Sequence, residues 1–305
     1  MPELPEVETT AKILNSLING LVISDVWTSY RSTFYLGKEN IKDENYFKKF
    51  RKEVVGEKIE KVHRRAKNVL ISLSNGKTIL IHMKMTGHLL YGNYNFDKKA
   101  NSWIPADIKS PLADPFNRFI RLVFTLSNDK HLAFSDMRKF ATITLLPDHK
   151  SFVTNFENIG PEPLEKNFDW KIFKKRLLLK PNGKIKTVLM DQTIVAGIGN
   201  IYSDEVLWSS SVHPERKISS LKDSEIKEIF VNAREILKKG INFGGDSMSD
   251  YRNPYGHRGN FQNHHNAYRK TGDRCNKRGC KGVIKRIVIG GRSTHFCPTH
   301  QKLFK

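Results

Sequence analysis

The sequence predicts an α+β chain: a mostly β amino-terminal domain opened by a helix, a mainly helical second domain, and a metal-clamped β-hairpin at the carboxyl end. Three observations predict it. β-Branched runs and tight-turn residues recur in the first half, apolar residues at helical spacing run from Trp170 to Leu237, and all three cysteines fall beside a histidine in the last 31 residues.

The first element is a helix. Val7, Ala11, Leu14 and Ile18 stand at offsets 0, 4, 7 and 11, one apolar face, and Gly20 ends the run. Acidic residues at its start suit the positive end of the helix dipole, and Glu6, three residues after Glu3, shares a face with it and helps hold the amino end. Next, Val69-Leu70-Ile71-Ser72-Leu73 and Thr78-Ile79-Leu80-Ile81 flank Asn75-Gly76, the pattern of two strands and a tight turn. Residues 91–117 are long, polar and broken by Pro105, Pro111 and Pro115, so they read as a surface loop between strands, which resume over 120–124. The expected division is a β domain over 1–147, a linker over 148–168 around Gly160-Pro161-Glu162-Pro163, a helical domain over 169–267 and the hairpin over 268–305. In the helical part Ile172, Phe173 and Leu177, then Ile185, Val188 and Leu189, then Ile226, Ile229, Phe230, Ala233, Ile236 and Leu237 carry the spacing. Gly197 and Gly199 permit tight turns before Asn200 opens a helix whose free N–H groups suit a phosphate. The third glycine of a dinucleotide-binding fingerprint is missing.

The cysteines point to metal. Four residues separate Cys275 from Cys280, and sixteen more lead to Cys297, with His300 two residues beyond; three thiolates and one imidazole suit a tetrahedral structural zinc. Between the pairs, Val283-Ile284 and Ile287-Val288-Ile289, Gly290-Gly291 and the run Arg292 to Phe296 describe a hairpin. His295 is an alternative fourth ligand. An odd cysteine count without an export signal implies reduced thiols in the cytoplasm.

Composition narrows the partner. Lys and Arg number 52 against 31 Asp and Glu, a net charge of +21, which draws polyanions, nucleic acid foremost. No run of about 18 apolar residues could span a membrane, and Glu3, Glu6 and Glu8 occupy the place of a signal peptide's basic region.

Pro2 is the chemically suggestive residue. Behind Met1 its nitrogen is a tertiary amide; after removal of Met1 it is a secondary amine, partly unprotonated near neutral pH and able to form an iminium with a carbonyl-like carbon.

Taken together, these features resemble the family of formamidopyrimidine-DNA glycosylases and their endonuclease VIII relatives over almost the whole chain. The resemblance rests on Pro2-Glu3-Leu4-Pro5-Glu6-Val7-Glu8, on Arg64 to Leu70, on His82 to Gly87, on Asp136 to Phe140, on Asp191 to Leu207, and on Gly259 to Gln262 before the hairpin. It implies a β-sandwich domain with flanking helices, then a mainly helical domain with a helix-two-turns-helix motif and a zinc β-hairpin finger. It implies a monomer, cytoplasmic and nucleoid-associated, that binds duplex DNA containing oxidised bases or abasic sites and uses one structural zinc but no organic cofactor.

The reaction so implied excises an oxidised base and then cuts the backbone by β,δ-elimination. Pro2 would attack C1′, Glu3 would move protons, Lys67 and Arg292 would serve at the phosphate and leaving group, and Glu6, His82, Met85, Arg138, Phe140, Asn200 and Arg292 would contact DNA. A lesion inside a duplex must be flipped out, with Met85 filling the gap, Arg138 meeting the orphaned base and Phe140 wedging the stack. Residues 244–262 resemble the loop that closes over the everted base. Met85, Arg138, Phe140 and Leu4 favour oxidised purines, 8-oxoguanine and formamidopyrimidines, over the pyrimidines of the endonuclease VIII branch. A catalytically silent DNA-binding protein on the same scaffold is the alternative. Two departures stand out: Ala141 where the family has glycine, and the four-residue cysteine spacing with His300 as last ligand.

Overall fold

In the computed structural model, residues 1–248 and 250–303 are described. The chain divides into two compact units, one of residues 1–157 with 243–260 and one of 158–242 with 261–305.

The first unit is built of antiparallel strands and begins with helix α1 (Leu4–Ile18), followed by β1 (Ile23–Thr28), α2 (Glu44–Val54), β2 (Ile59–Arg65), β3 (Asn68–Leu73) and β4 (Thr78–His82). β5 (His88–Gly92), β6 (Tyr94–Asp97), β7 (Ser102–Pro105), β8 (Ile120–Leu126), β9 (His131–Ser135), β10 (Thr142–Leu146) and α3 (His149–Phe156) complete it. One sheet runs β1-β8-β9-β5 and the other β10-β4-β3-β2. Both sheets send alternate residues into one core: Val26, Phe124 and Phe134 from the first meet Val69, Ile71, Ile81 and Ile143 from the second, and Val7, Ala11, Leu14 and Ile18 of α1 join them. The expected apolar helix face is therefore the buried one.

Residues 91–117 differ from the surface loop expected. They carry the β6–β7 hairpin, because Tyr94 and Trp103 pack with Trp27 and Leu90 into a second core, and Trp103 lies edge-on to Trp27 at 6.4 Å. Aromatic packing outweighs the polar composition and the prolines. Helix α2 was also not expected; Asp43 caps it by accepting from Tyr46 N–H at 2.6 Å, and Phe50 and Val54 anchor it. Part of the expected linker forms α3, capped by Asp148.

The second unit contains α4 (Trp170–Leu177), α5 (Ile185–Met190), α6 (Asn200–Ser209), α7 (Asp223–Asn242) and the antiparallel pair β11 (Lys285–Ile289) and β12 (Arg292–Phe296). It is mostly helical, as the spacing indicated. Val283 lies outside β11 and forms an isolated bridge with Arg274. No described helix is long and apolar enough to cross a membrane.

Candidate active site and metal centre

In the first unit the amino end is held by a reciprocal cap. Glu3 is not within α1 but precedes it as N-cap: its carboxylate accepts from the Glu6 N–H, and Glu6 Oε2 accepts from the Glu3 N–H at 2.7 Å. Pro2, immediately before, is buried. Glu6 is 1% exposed, and its other oxygen, Oε1, accepts from the Asp246 N–H at 2.7 Å. Close approach requires glycine here, since a Cβ on Gly245 would lie 2.8 Å from Glu6 Cγ. Gly245 and Asp246, in the stretch 244–262 expected as a closing loop, thus reach the helix that follows Pro2.

Lys67 sits in the β2–β3 turn, where Ala66 has φ 53°. Arg64 ties this turn to α1, donating from Nε to Glu8 Oε2 at 2.7 Å and from Nη1 to the Ala66 carbonyl at 2.9 Å. Burial pushes the Glu8 carboxyl up, but Arg64 and Lys12 together outweigh it and hold it below the usual range. Lys67 is itself buried, and it lies near His82: burial first, then the charges of Lys84 and Lys67, push the imidazole down to about 3. His82 Nδ1 accepts from the Lys84 N–H at 3.0 Å, which leaves Nε2 as the protonated nitrogen of a neutral ring.

A buried carboxylate that the motif reading overlooked organises the three expected wedge residues. Asp136 is fully buried; it accepts from Thr86 Oγ1 at 2.7 Å, Tyr30 Oη at 2.8 Å and the Ala141 N–H at 3.0 Å. Thr86 Oγ1 in turn accepts from the Arg138 N–H at 3.1 Å, so the loop bearing Met85 and the loop bearing Arg138 and Phe140 share one anchor. Burial and Asp136 raise the Tyr30 phenol, keeping it a donor. Lys42, pushed down to about 8 by burial, donates to the Lys139 carbonyl at 2.7 Å. Phe140 is 49% exposed, which excludes a core role, and the Arg138 guanidinium stacks 4.5 Å from its ring centroid. Met85 is half-buried. The left-handed residue of this loop is Lys139, φ 55°, rather than Ala141, so the alanine costs no backbone strain. The signal for Asp136 was present at the head of the Asp136-to-Phe140 block.

In the second unit Asn200 opens α6 and donates from Nδ2 to the Ser293 carbonyl at 3.0 Å, joining helix to hairpin. Beneath it lies a fully buried ion pair: Lys186 Nζ reaches Asp204 Oδ1 at 2.6 Å and Ser203 Oγ at 2.8 Å, while Asp204 Oδ2 accepts from the His295 N–H at 3.0 Å. His295 Nδ1 also meets Asp204 Oδ2, at 3.1 Å, which removes it as a substitute metal ligand. Glu205 accepts from the N–H groups of Asn266, Ala267 and Tyr268, a structural role. Arg292 is exposed just after the Gly290-Gly291 turn, whose φ angles of 54° and 72° suit a primed hairpin turn.

The ligating atoms of Cys275, Cys280, Cys297 and His300 lie within 4.8 Å of one another. Cys280 Sγ is 3.6 Å from both Cys297 Sγ and His300 Nδ1. A tetrahedral zinc with ordinary bond lengths separates two sulfurs by about 3.8 Å and sulfur from nitrogen by about 3.6 Å. The set therefore fits a metal and is too open for a disulfide. His300 Nε2 donates to the Trp208 carbonyl at 3.2 Å, which leaves Nδ1 free to ligate. Gly282 passes so close that a Cβ would lie 2.5 Å from Cys297 Sγ.

A family model described as the formamidopyrimidine-DNA glycosylase N-terminal domain matches residues 1–143, and one described as the H2TH domain of the same enzyme matches residues 159–252. The formamidopyrimidine-DNA glycosylase of Streptococcus mutans is 39% identical over 305 residues, and that of Herpetosiphon aurantiacus 37% over 301, each alignment spanning 99% of this chain and 100% of the relative. Among solved structures, Lactococcus lactis Fpg in complex with abasic-site DNA has a TM-score of 0.82 at 32% identity, covering 99% of this chain and 100% of that one. MutM bound to DNA containing carbocyclic 8-oxo-G has a TM-score of 0.81 at 33% identity with the same coverage.

Proposed function

The chain belongs to the formamidopyrimidine-DNA glycosylase family, and on that premise we infer that it is a bifunctional DNA glycosylase and abasic-site lyase that removes oxidised purines from duplex DNA. The observation that carries the reading is the amino end: Pro2 directly precedes a carboxylate pair, Glu3 and Glu6, locked in a reciprocal cap.

Once Met1 is removed, the Pro2 nitrogen donates its lone pair to C1′ and the damaged base departs with the electrons of the glycosidic bond. The amine then loses its proton, its lone pair expels O4′ from C1′, and O4′ takes up a proton as the ring opens; the resulting iminium acidifies the adjacent C–H, and successive β- and δ-eliminations release the two phosphates. Glu3 moves protons at the sugar oxygen and during elimination, a role that needs proximity more than strength. Lys67 serves the phosphate and leaving group, and its buried charge beside neutral His82 gives two donors of different character. Met85, Arg138 and Phe140, sharing the Asp136 anchor, fill and brace the gap left by the flipped nucleotide. Asn200 and Arg292 hold phosphate, and Glu6 acts through the amino end.

The two sheets around one core are read as the family's β-sandwich, α5 and α6 as its helix-two-turns-helix, and β11–β12 with the metal cluster as a zinc finger. Zinc, held by Cys275, Cys280, Cys297 and His300, supplies a structural cross-link there. The substrates are 8-oxoguanine and formamidopyrimidines, met as a monomer on nucleoid DNA in the cytoplasm.

Borohydride trapping on a duplex with a single 8-oxoguanine tests this, because only an iminium is reduced to a stable adduct. A trapped band is expected. Intact DNA binding without one would favour the silent binding protein, and adducts only with oxidised pyrimidines would favour an endonuclease VIII specificity.

A further inference from the structure

We propose that Arg252 and Asp114 form a positioning pair that fixes the catalytic amino end, an inference that rests on the glycosylase and lyase reading above. Arg252 is 2% exposed. Its Nε and Nη2 donate to Oδ2 and Oδ1 of Asp114, each at 3.1 Å, its Nη1 donates to the Tyr251 carbonyl at 2.9 Å, and its guanidinium lies 4.8 Å from the Phe116 ring centroid. A two-point fork with one stacked face fixes direction as well as distance.

Tyr251 carries the constraint onward. Its hydroxyl donates to the Glu6 carbonyl at 3.0 Å and lies 3.2 Å from Thr10 Oγ1, and Ser247 Oγ donates to the Tyr251 carbonyl at 2.8 Å. Glu6 ends the relay, with one carboxylate oxygen on Asp246 N–H and the other on Glu3 N–H, one peptide from Pro2. Two further contacts fasten the same turn to residues 91–117. Tyr91 N–H donates to the Pro254 carbonyl at 2.8 Å, and a Cβ on Gly256 would lie 2.6 Å from the Pro111 carbonyl oxygen. The inserted segment, which has no other part in the proposed chemistry, braces the cap of the nucleophile's helix.

Single-turnover borohydride trapping on a duplex with one preformed abasic site, at saturating enzyme, reads the amine step. The unaltered protein must trap, which separates failure of the functional reading from failure of this one. Arg252→Ala and Asp114→Ala are expected to slow trapping on the order of ten- to a hundred-fold, the scale of a small misplacement of a reacting group. Arg252→Lys should fall between, and affinity for a tetrahydrofuran-containing duplex should stay unchanged in all three. Measurements are made where circular dichroism shows each variant folded. Should the alanine variants not fold, Tyr251→Phe, which deletes one oxygen from the same relay, is expected to slow trapping with unchanged affinity. Trapping at the unaltered rate in the variants that fold, or slowing matched by an equal loss of duplex affinity, would overturn the proposal.

Discussion

His82 shows how neighbours decide a residue's chemistry. An exposed histidine is partly a cation near pH 6, but burial and two lysines keep this one neutral. Nuclear magnetic resonance of its ring should therefore show no titration between pH 8 and 5; an inflection near 6.5 would refute the assignment. The sign for stability follows. The folded value lies below the ordinary one, so His82 costs nothing above pH 6.5, and stability falls as pH drops from 6.5 toward 3 while the unfolded chain takes up the proton. Asp136 offers a second test. Asp136→Ala would strand the hydroxyls of Tyr30 and Thr86 and the Ala141 N–H, and each buried unpaired group costs about 1–3 kcal/mol. Urea unfolding should register a loss of at least about 2 kcal/mol. Pro2 and the cysteine set were legible because their chemistry is local in sequence. Asp136 stood at the head of its block, but its anchoring role, like that of Arg252, was not legible, because the partners lie far along the chain: Tyr30 is 106 residues from Asp136, and Asp114 is 138 from Arg252.

Elements were legible where a periodic apolar face met the core. The stripe on α1 and the Asn75-Gly76 turn between β3 and β4 appear as read. The β6–β7 pair escaped because its strands are four residues each, too short for a period to declare itself. The cysteine–histidine set beside the β11–β12 pair sits in a small buried cluster of Trp208, Ala267, Ile284 and two of the cysteines, none of them on the two strands. Stripping the metal with a chelator should unfold the hairpin, seen as loss of near-ultraviolet dichroism from Trp208, and readdition of zinc should restore it. An unchanged spectrum would show that the cross-link is dispensable. The Lys186–Asp204 pair connects α5 to α6 without exposure of either side chain. Lys186→Met, which leaves Asp204 charged and buried, should cost about 3–5 kcal/mol by denaturant unfolding; a loss below about 1 kcal/mol would mean that water reaches the carboxylate.

For the molecule as a whole, charge is the most legible property and the least specific. A surplus of 21 positive charges makes duplex binding strongly salt-dependent. Arg292→Ala should weaken binding to every sequence alike and lower the slope of log affinity against log salt by about 1; an unaltered slope would remove Arg292 from the phosphate contacts. The cysteine–histidine cluster could be foreseen from spacing, but the return of residues 243–260 to the amino-terminal unit could not. That return sets an order of events at the ribosome. Glu6 waits for Asp246, 240 residues behind it, so at 5–20 residues per second the amino end stays untied for roughly 10–50 s. Nascent-chain processing enzymes have that interval to trim the initiator before the final stretch of polypeptide fastens the helix behind it.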